Sequence, residues 1–289
     1  MSDQRDASQQ TSDHYFINQE LVEEMVRLNR QGRILTEGMG GVLLEQQDLS
    51  GIRDILDLAC GPGEWAMRVA REYPDKHVVG VDLSERMIEY ACVQTEADDI
   101  SNATFHVMDI TRPLDFPDSS FDLINARLLQ GFMRKEGWPK LLLECQRLLR
   151  PGGMLRLTEQ ETILTNSPVF ERWTSWWYQA FQQAGLAFSR PGQQHIGVTI
   201  ALKPLLSQAG FVTPQHTAHA IDFSTGTPAH ASALENLSDA LKLAMPFLAR
   251  LGVATNEQVK EVLAQMQELA GKEDFCGYWY FLTIWARKP

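Results

Sequence analysis

Ile55-Leu56-Asp57-Leu58-Ala59-Cys60-Gly61-Pro62-Gly63, followed by Glu64-Trp65-Ala66, passes from an apolar run through a glycine loop into helical spacing. The short run Ile55 to Ala59 reads as a buried strand. Gly63 to Tyr73 reads as a helix, with Trp65, Ala66, Val69 and Ala70 on one side. Glycines between a strand and a helix let the backbone approach a ligand closely. The helix N-terminus adds free N–H groups carrying a partial positive charge, so a carboxylate or phosphate fits there. Asp82 ends the next apolar run, His77 to Val81, at the distance where a carboxylate accepts from both hydroxyls of a ribose.

Outward from this stretch the same alternation continues. Ser84 caps a helix through about Ala97. Thr104 to Met108, Phe121 to Ala126 and Met154 to Thr158 read as further strands. Trp138 to Leu149 is a helix with Leu141, Leu142, Cys145, Leu148 and Leu149 inward, stopped by Pro151-Gly152-Gly153. Strands and helices alternating at this spacing imply a parallel sheet covered on both faces. Beyond it the chain predicts an aromatic helix at Val169–Gly185, a helix at Val198–Ala209 and a strand at Phe211–Phe223. Two more helices follow at Ala231–Leu251, with a kink expected at Pro246, and at Asn256–Ala270. Tyr278–Ala286 is a strong final strand. Upstream, Phe16 to Gln31 is expected to form an amphipathic helix carrying Leu21, Val22, Met25, Val26 and Leu28. Residues 1–13, rich in Gln, Ser and Asp, are expected to be a disordered tail.

The 289 residues suit one domain with insertions, at 44% hydrophobic and 22% charged. A formal net charge of −11, with no basic run, argues against nucleic acid as partner. The four cysteines, Cys60, Cys92, Cys145 and Cys276, stand apart with no metal-ligand spacing. They point to neither a zinc site nor a disulfide scaffold, and fit a reducing compartment. With no apolar run long enough to span a bilayer and no apolar leader, the expected location is cytoplasmic.

The loop alone leaves two ligands open, because Gly61, Gly63 and Ala66 also satisfy the dinucleotide pattern G-x-G-x-x-G/A. Asp57 suits an ammonium-bearing ligand better than a pyrophosphate. Asp109 adds a negative group at an adenine end, where Ile110 can pack on the ring, and the tail offers no second dinucleotide-binding half. Asp57-Leu58-Ala59-Cys60-Gly61-Pro62-Gly63, Val79-Gly80-Val81-Asp82-Leu83-Ser84, Asp109-Ile110, Phe116-Pro117-Asp118-Ser119-Ser120-Phe121-Asp122 and Leu149-Arg150-Pro151-Gly152-Gly153 together resemble class I methyltransferases. The resemblance is to the branch that includes ubiquinone/menaquinone-biosynthesis and natural-product-tailoring enzymes, and it covers about residues 50–160 plus the final strand. It implies a Rossmann-like seven-stranded sheet with an antiparallel last strand between its neighbours, S-adenosylmethionine as cofactor, and a small-molecule acceptor. It implies further that the methionine end lies over Ala59, Gly61 and Gly63, and that Asp82 holds the ribose. Leu83 and Met87 would flank the adenine, Asp109 and Ile110 would recognise it, and Asn125, Ala126 and Arg127 would face the reacting methyl. An NAD-dependent oxidoreductase, or a protein of this fold that binds the cofactor without methylating, are the alternatives.

Several residues carry two readings. Asp57 is either a ligand contact or a strand-end carboxylate satisfied by loop N–H groups. Cys60 reads as a packing residue, since no base stands near it. Residues 14–50 are expected to form an N-terminal helical lid, in which Tyr15, Arg27 and Gln31 close over the cofactor; the other reading is a helix with solvated polar residues. Residues 51–289 form the main domain, with substrate-binding insertions expected at about 162–197 and 226–271. Trp173, Trp177 and Phe181 share one helix face at i, i+4 and i+8, either as core or as the wall of an acceptor pocket for a largely apolar or aromatic molecule. His195, in a polar loop, and Glu159 or Glu161, after the fifth strand, are the candidates for a base or substrate contact. No metal site is expected.

Overall fold

A computed structural model of the chain describes residues 17–46 and 48–289. Tyr15, Phe16 and the tail expected at 1–13 lie outside the described residues. Helix α1 (Val22–Gly38) precedes β1 (Asp54–Leu58), α2 (Glu64–Glu72), β2 (His77–Asp82), α3 (Glu85–Ala97) and β3 (Ala103–Val107). Then come β4 (Phe121–Arg127), α4 (Trp138–Leu148), β5 (Leu149–Thr165), α5 (Pro168–Gln183) and α6 (Val198–Gln208). The chain ends with β6 (Val212–Asp222), α7 (His230–Arg250), α8 (Asn256–Leu269) and β7 (Gly277–Arg287).

The sheet order is β3-β2-β1-β4-β5-β7-β6. The strands β1 to β5 pair in parallel, and β7 lies antiparallel between β5 and β6. The sheet is therefore the Rossmann-like one expected from the alternation, closed by its antiparallel last strand. Its order reverses beside β1, so β1 and β4 open a crevice at their carboxyl ends, where open α/β sheets bind ligands. Trp65, Val69, Ile55 and Ile88 fill one face. Leu56, Ile124, Trp138 and Leu155, with the later helices, fill the other.

Two elements depart from the expectation. The first concerns α1, which runs on to Gly38 and starts at Val22, not Phe16. Its orientation also inverts the usual amphipathic rule: Val22 and Val26 are half exposed, whereas Glu24, Arg27 and Gln31 are buried. The inward polar residues satisfy one another, Arg27 donating from Nε and Nη2 to the two oxygens of Glu24, both at 2.6 Å. Arg30 ties the helix to α7 through Asp239 (2.6 Å) and Glu235 (2.7 Å).

The second departure is β5, which is far longer than Met154–Thr158. Its parallel partner β4 ends at Arg127 opposite Thr158, but β7 continues the ladder to Thr165. The polar run Glu159-Gln160-Glu161 hides this extension from a hydrophobicity reading. A register shift between Gln160 and Thr162 breaks the strict alternation that would send Glu159 and Glu161 the same way. The helix expected at Ala231–Leu251 is α7, a single element with Pro246 inside it.

Candidate active site

One open cavity occupies the crevice, with about 1200 Å³ of empty space counting its mouth. Its floor is the loop after β1. Ala59 (φ 51°), Gly61 (φ 54°) and Gly63 (φ 81°) are all left-handed, so the loop coils tightly into the start of α2. A left-handed alanine is strained, and Leu128 (φ 61°) repeats that strain at the end of β4. Both strained residues line the cavity.

The two carboxylates are held differently. Asp82 accepts from the Gly61 N–H and the Ser84 N–H, each at 2.9 Å, which ties the ends of β1 and β2 together. Burial raises its pKa, opposed by these N–H groups. Asp57 is pushed up to about 7, first by burial, against the lowering influence of the Arg127 guanidinium and the Asn125 hydrogen bond. A buried polar chain fixes its direction: Asn125 donates to Asp57 at 2.8 Å and accepts from Arg156 at 2.7 Å, and Arg156 pairs with Glu45. Arg127 reaches Thr36 (3.1 Å) on α1 and Glu64 (3.3 Å) on α2. The Cys60 thiol is raised well above its usual range, by burial and then by the nearby Asp82 and Asp57, which disfavours a thiolate.

Of the residues read from the sequence, Asp57, Ala59, Gly61, Asp82, Met87 and Arg127 meet on this cavity, and α1 brings Arg27 and Gln31 to it. Trp173, Trp177 and Phe181 line it from α5. The others stand away from the cavity wall. A Cβ on Gly63 would meet the Phe105 ring at 2.8 Å, so that glycine serves close packing beneath the loop. Asn125 and Ala126 are fully buried, the former acting through Asp57. Leu83 is exposed, Ile110 is core, and Asp109 is engaged by the Thr111 N–H (2.9 Å) and hydroxyl (2.7 Å).

His195 and Glu159 do not line the cavity either. His195 is part-exposed on the far side of Glu161, at 3.4 Å. Glu161 is itself taken by the N–H groups of Gly197 (2.6 Å) and Thr199 (3.2 Å). Glu159 is buried and pushed up to about 8, chiefly by that burial. Its oxygens accept the N–H groups of Leu129 (2.9 Å) and Gln130 (3.2 Å), so it anchors the turn after β4.

Sequence reasoning missed other lining residues. Gln19 comes from the segment before α1, where Glu20 accepts from the Ser84 hydroxyl at 2.8 Å. Gln130 and Gln160 come from the turn after β4 and from β5, and Asn236 and Trp279 come from α7 and β7. Only the fold unites these positions, and no local pattern marks them. Among the described residues no group of three or more His, Cys, Asp or Glu could hold a metal, and no helix is long and apolar enough to cross a membrane.

The crevice, with carboxylates at the ends of β1 and β2, lies in a stretch of chain that is similar to known proteins. Residues 55–153 match the family described as "Methyltransferase domain". Over 103 residues the chain is 32% identical to demethylmenaquinone methyltransferase of Listeria welshimeri, covering 35% of this chain and 42% of that protein. Over 164 residues it is 34% identical to the secondary metabolism regulator laeA of Aspergillus flavus, covering 56% of this chain and 41% of that one. The chain thus spans about two fifths of the length of these curated relatives. The fold is shared with the YcgJ protein of Bacillus subtilis (TM-score 0.54, 16% identity, 87% of this chain and 98% of that one). It is shared also with phosphoethanolamine N-methyltransferase 2 of Haemonchus contortus, solved with S-adenosyl-L-methionine (TM-score 0.52, 19% identity, 88% and 52%). Residues 55–153 thus match a methyltransferase domain, on a fold shared with an enzyme solved with S-adenosyl-L-methionine.

Proposed function

We propose that this chain transfers a methyl group from S-adenosylmethionine to a small, largely apolar or aromatic acceptor. The observation that carries the proposal is that one cavity joins the carboxylate-flanked loop after β1 to the aromatic face of α5. Asp82 would accept from the ribose hydroxyls, with Met87 and Leu83 beside the adenine. Asp57, oriented by Asn125, would meet the ammonium of the methionine end over Ala59 and Gly61. When bound, the cofactor supplies an electrophilic methyl group on a sulfonium, which leaves with the bonding pair kept by sulfur. α1 covers this end with Leu28, Gln31, Gly32 and Leu35, excluding water as a lid would.

No titratable side chain lines the cavity from β5, α5, α7 or β7. Catalysis then rests on holding nucleophile and methyl in line, without a protein base. The nucleophile would be one that reacts without such a base, or whose proton passes to solvent at the mouth. The test is transfer of label from methyl-labelled S-adenosylmethionine to a panel of phenols, apolar amines, apolar carboxylic acids and phosphorylated amines. Label is expected in aromatic or apolar members. Label found only in the phosphorylated amines would overturn the acceptor class.

A further inference from the structure

The side chains of Gln130 and Gln160 are buried, at 4% and 9% exposure, and both line the cavity. They form a fixed pair. The Gln160 N–H donates to Gln130 Oε1 at 3.2 Å, and the Gln130 N–H is held by Glu159 at 3.2 Å. A backbone N–H only donates, so the atom of Gln130 facing it is the carbonyl oxygen. The Gln130 amide nitrogen, with two N–H donors, is left to the cavity. Among the described residues the Gln160 amide has no protein partner at all, so it presents both a donor and an acceptor. The ladder shifts register immediately after Gln160, a device that re-aims side chains beside sites. The Gln130 amide nitrogen and the whole Gln160 carboxamide, unpaired in the protein and facing one cavity, mark a place where a ligand's polar group is expected, because buried polar groups find partners.

The wall to which Gln160 belongs carries no charge. Among the described residues every charged lining residue, Arg27, Asp57, Glu64, Asp82 and Arg127, belongs to α1, α2 or the ends of β1, β2 and β4. The wall from β5, α5, α7 and β7 is built of Gln160, Trp173, Trp177, Phe181, Asn236 and Trp279, with Leu237 and Ala240. An ionised acceptor placed there would lose its hydration without gaining a counter-ion. We infer that Gln130 and Gln160 are specificity-determining residues that read an uncharged oxygen, a hydroxyl or carbonyl, on an acceptor whose flat body lies against the tryptophans. This rests on the methyl-transfer reading above and names its acceptor more closely.

The test is equilibrium dialysis of 2-naphthol, naphthalene and 2-naphthoate, with and without saturating S-adenosylhomocysteine. 2-Naphthol is expected to bind roughly tenfold more tightly than either of the others, the worth of one or two neutral hydrogen bonds. Gln160→Met should bring 2-naphthol down to the level of naphthalene with S-adenosylhomocysteine affinity unchanged. Gln160→Leu supplies a second variant if Met perturbs the strand. Tightest binding of 2-naphthoate, no binding of 2-naphthol, or a 2-naphthol preference that survives both variants would overturn the inference. Failure of S-adenosylhomocysteine to bind would instead strike the methyl-transfer reading, and the ranking without it would still test the pair.

Discussion

Asp82→Ala is expected to weaken S-adenosylhomocysteine binding by roughly 10- to 100-fold, with the sheet still folded. A carboxylate accepting from two ribose hydroxyls contributes about 1–3 kcal/mol, and about 1.4 kcal/mol corresponds to tenfold in affinity. The same substitution frees the N–H groups of Gly61 and Ser84, so part of the loss comes from a loosened loop. Asp82→Asn separates the two contributions, since one amide oxygen keeps an acceptor in place while charge is removed. Calorimetry on both variants checks this. Affinity equal to that of the parent in Asp82→Ala would remove the ribose assignment.

The second large effect falls on the aromatic helix, where two tryptophans of one face should behave differently. Trp173 is 2% exposed and packs edge-on against Phe170, with ring centroids 5.7 Å apart. Trp177 is only part-buried and lies between Trp173 (5.6 Å) and Phe181 (5.2 Å). Trp173→Ala should therefore cost about 3–5 kcal/mol of stability, as emptied core tryptophans do. Trp177→Ala should leave stability nearer the parent and S-adenosylhomocysteine affinity unchanged, while lowering acceptor turnover about tenfold or more through lost apolar contact. Denaturant unfolding and turnover of the best panel acceptor give both readouts. Equal destabilisation of the two variants, with turnover per folded molecule unaltered, would make this face core alone.

What the sequence made legible was local. The apolar run of β1, the glycines after it and Asp82 at the end of β2 are each written in a few adjacent residues, and the i, i+4, i+8 spacing of Trp173, Trp177 and Phe181 marks one face. The illegible parts depend on contacts distant along the chain. The usual rule turns apolar residues inward, so it placed Val22 and Val26 on the wrong side of α1; the buried pairing of Arg27 with Glu24 reverses it. Glu159-Gln160-Glu161 looked like the end of β5, because nothing local reveals that β7 continues the ladder past β4. For that reason no local pattern marks Gln160 as lining the cavity, although it stands one residue from Glu159. The left-handed Leu128 is likewise invisible to pattern, since leucine rarely adopts that conformation.

Parallel calorimetric titrations with S-adenosylhomocysteine and NAD at pH 8 and pH 6 test whether the crevice after β1 takes S-adenosylmethionine. The pH dependence follows from Asp57. Its folded pKa of about 7 lies above its unfolded value, so the fold favours the protonated form, and this group's contribution to stability falls as pH rises from about 4 to 7. An ammonium requires the carboxylate, so ligand binding opposes that preference and releases a proton below pH 7. S-adenosylhomocysteine is expected to bind at both pH values, about tenfold more weakly at pH 6, with proton release there and no comparable heat from NAD. Tighter binding of NAD than of S-adenosylhomocysteine would contradict it.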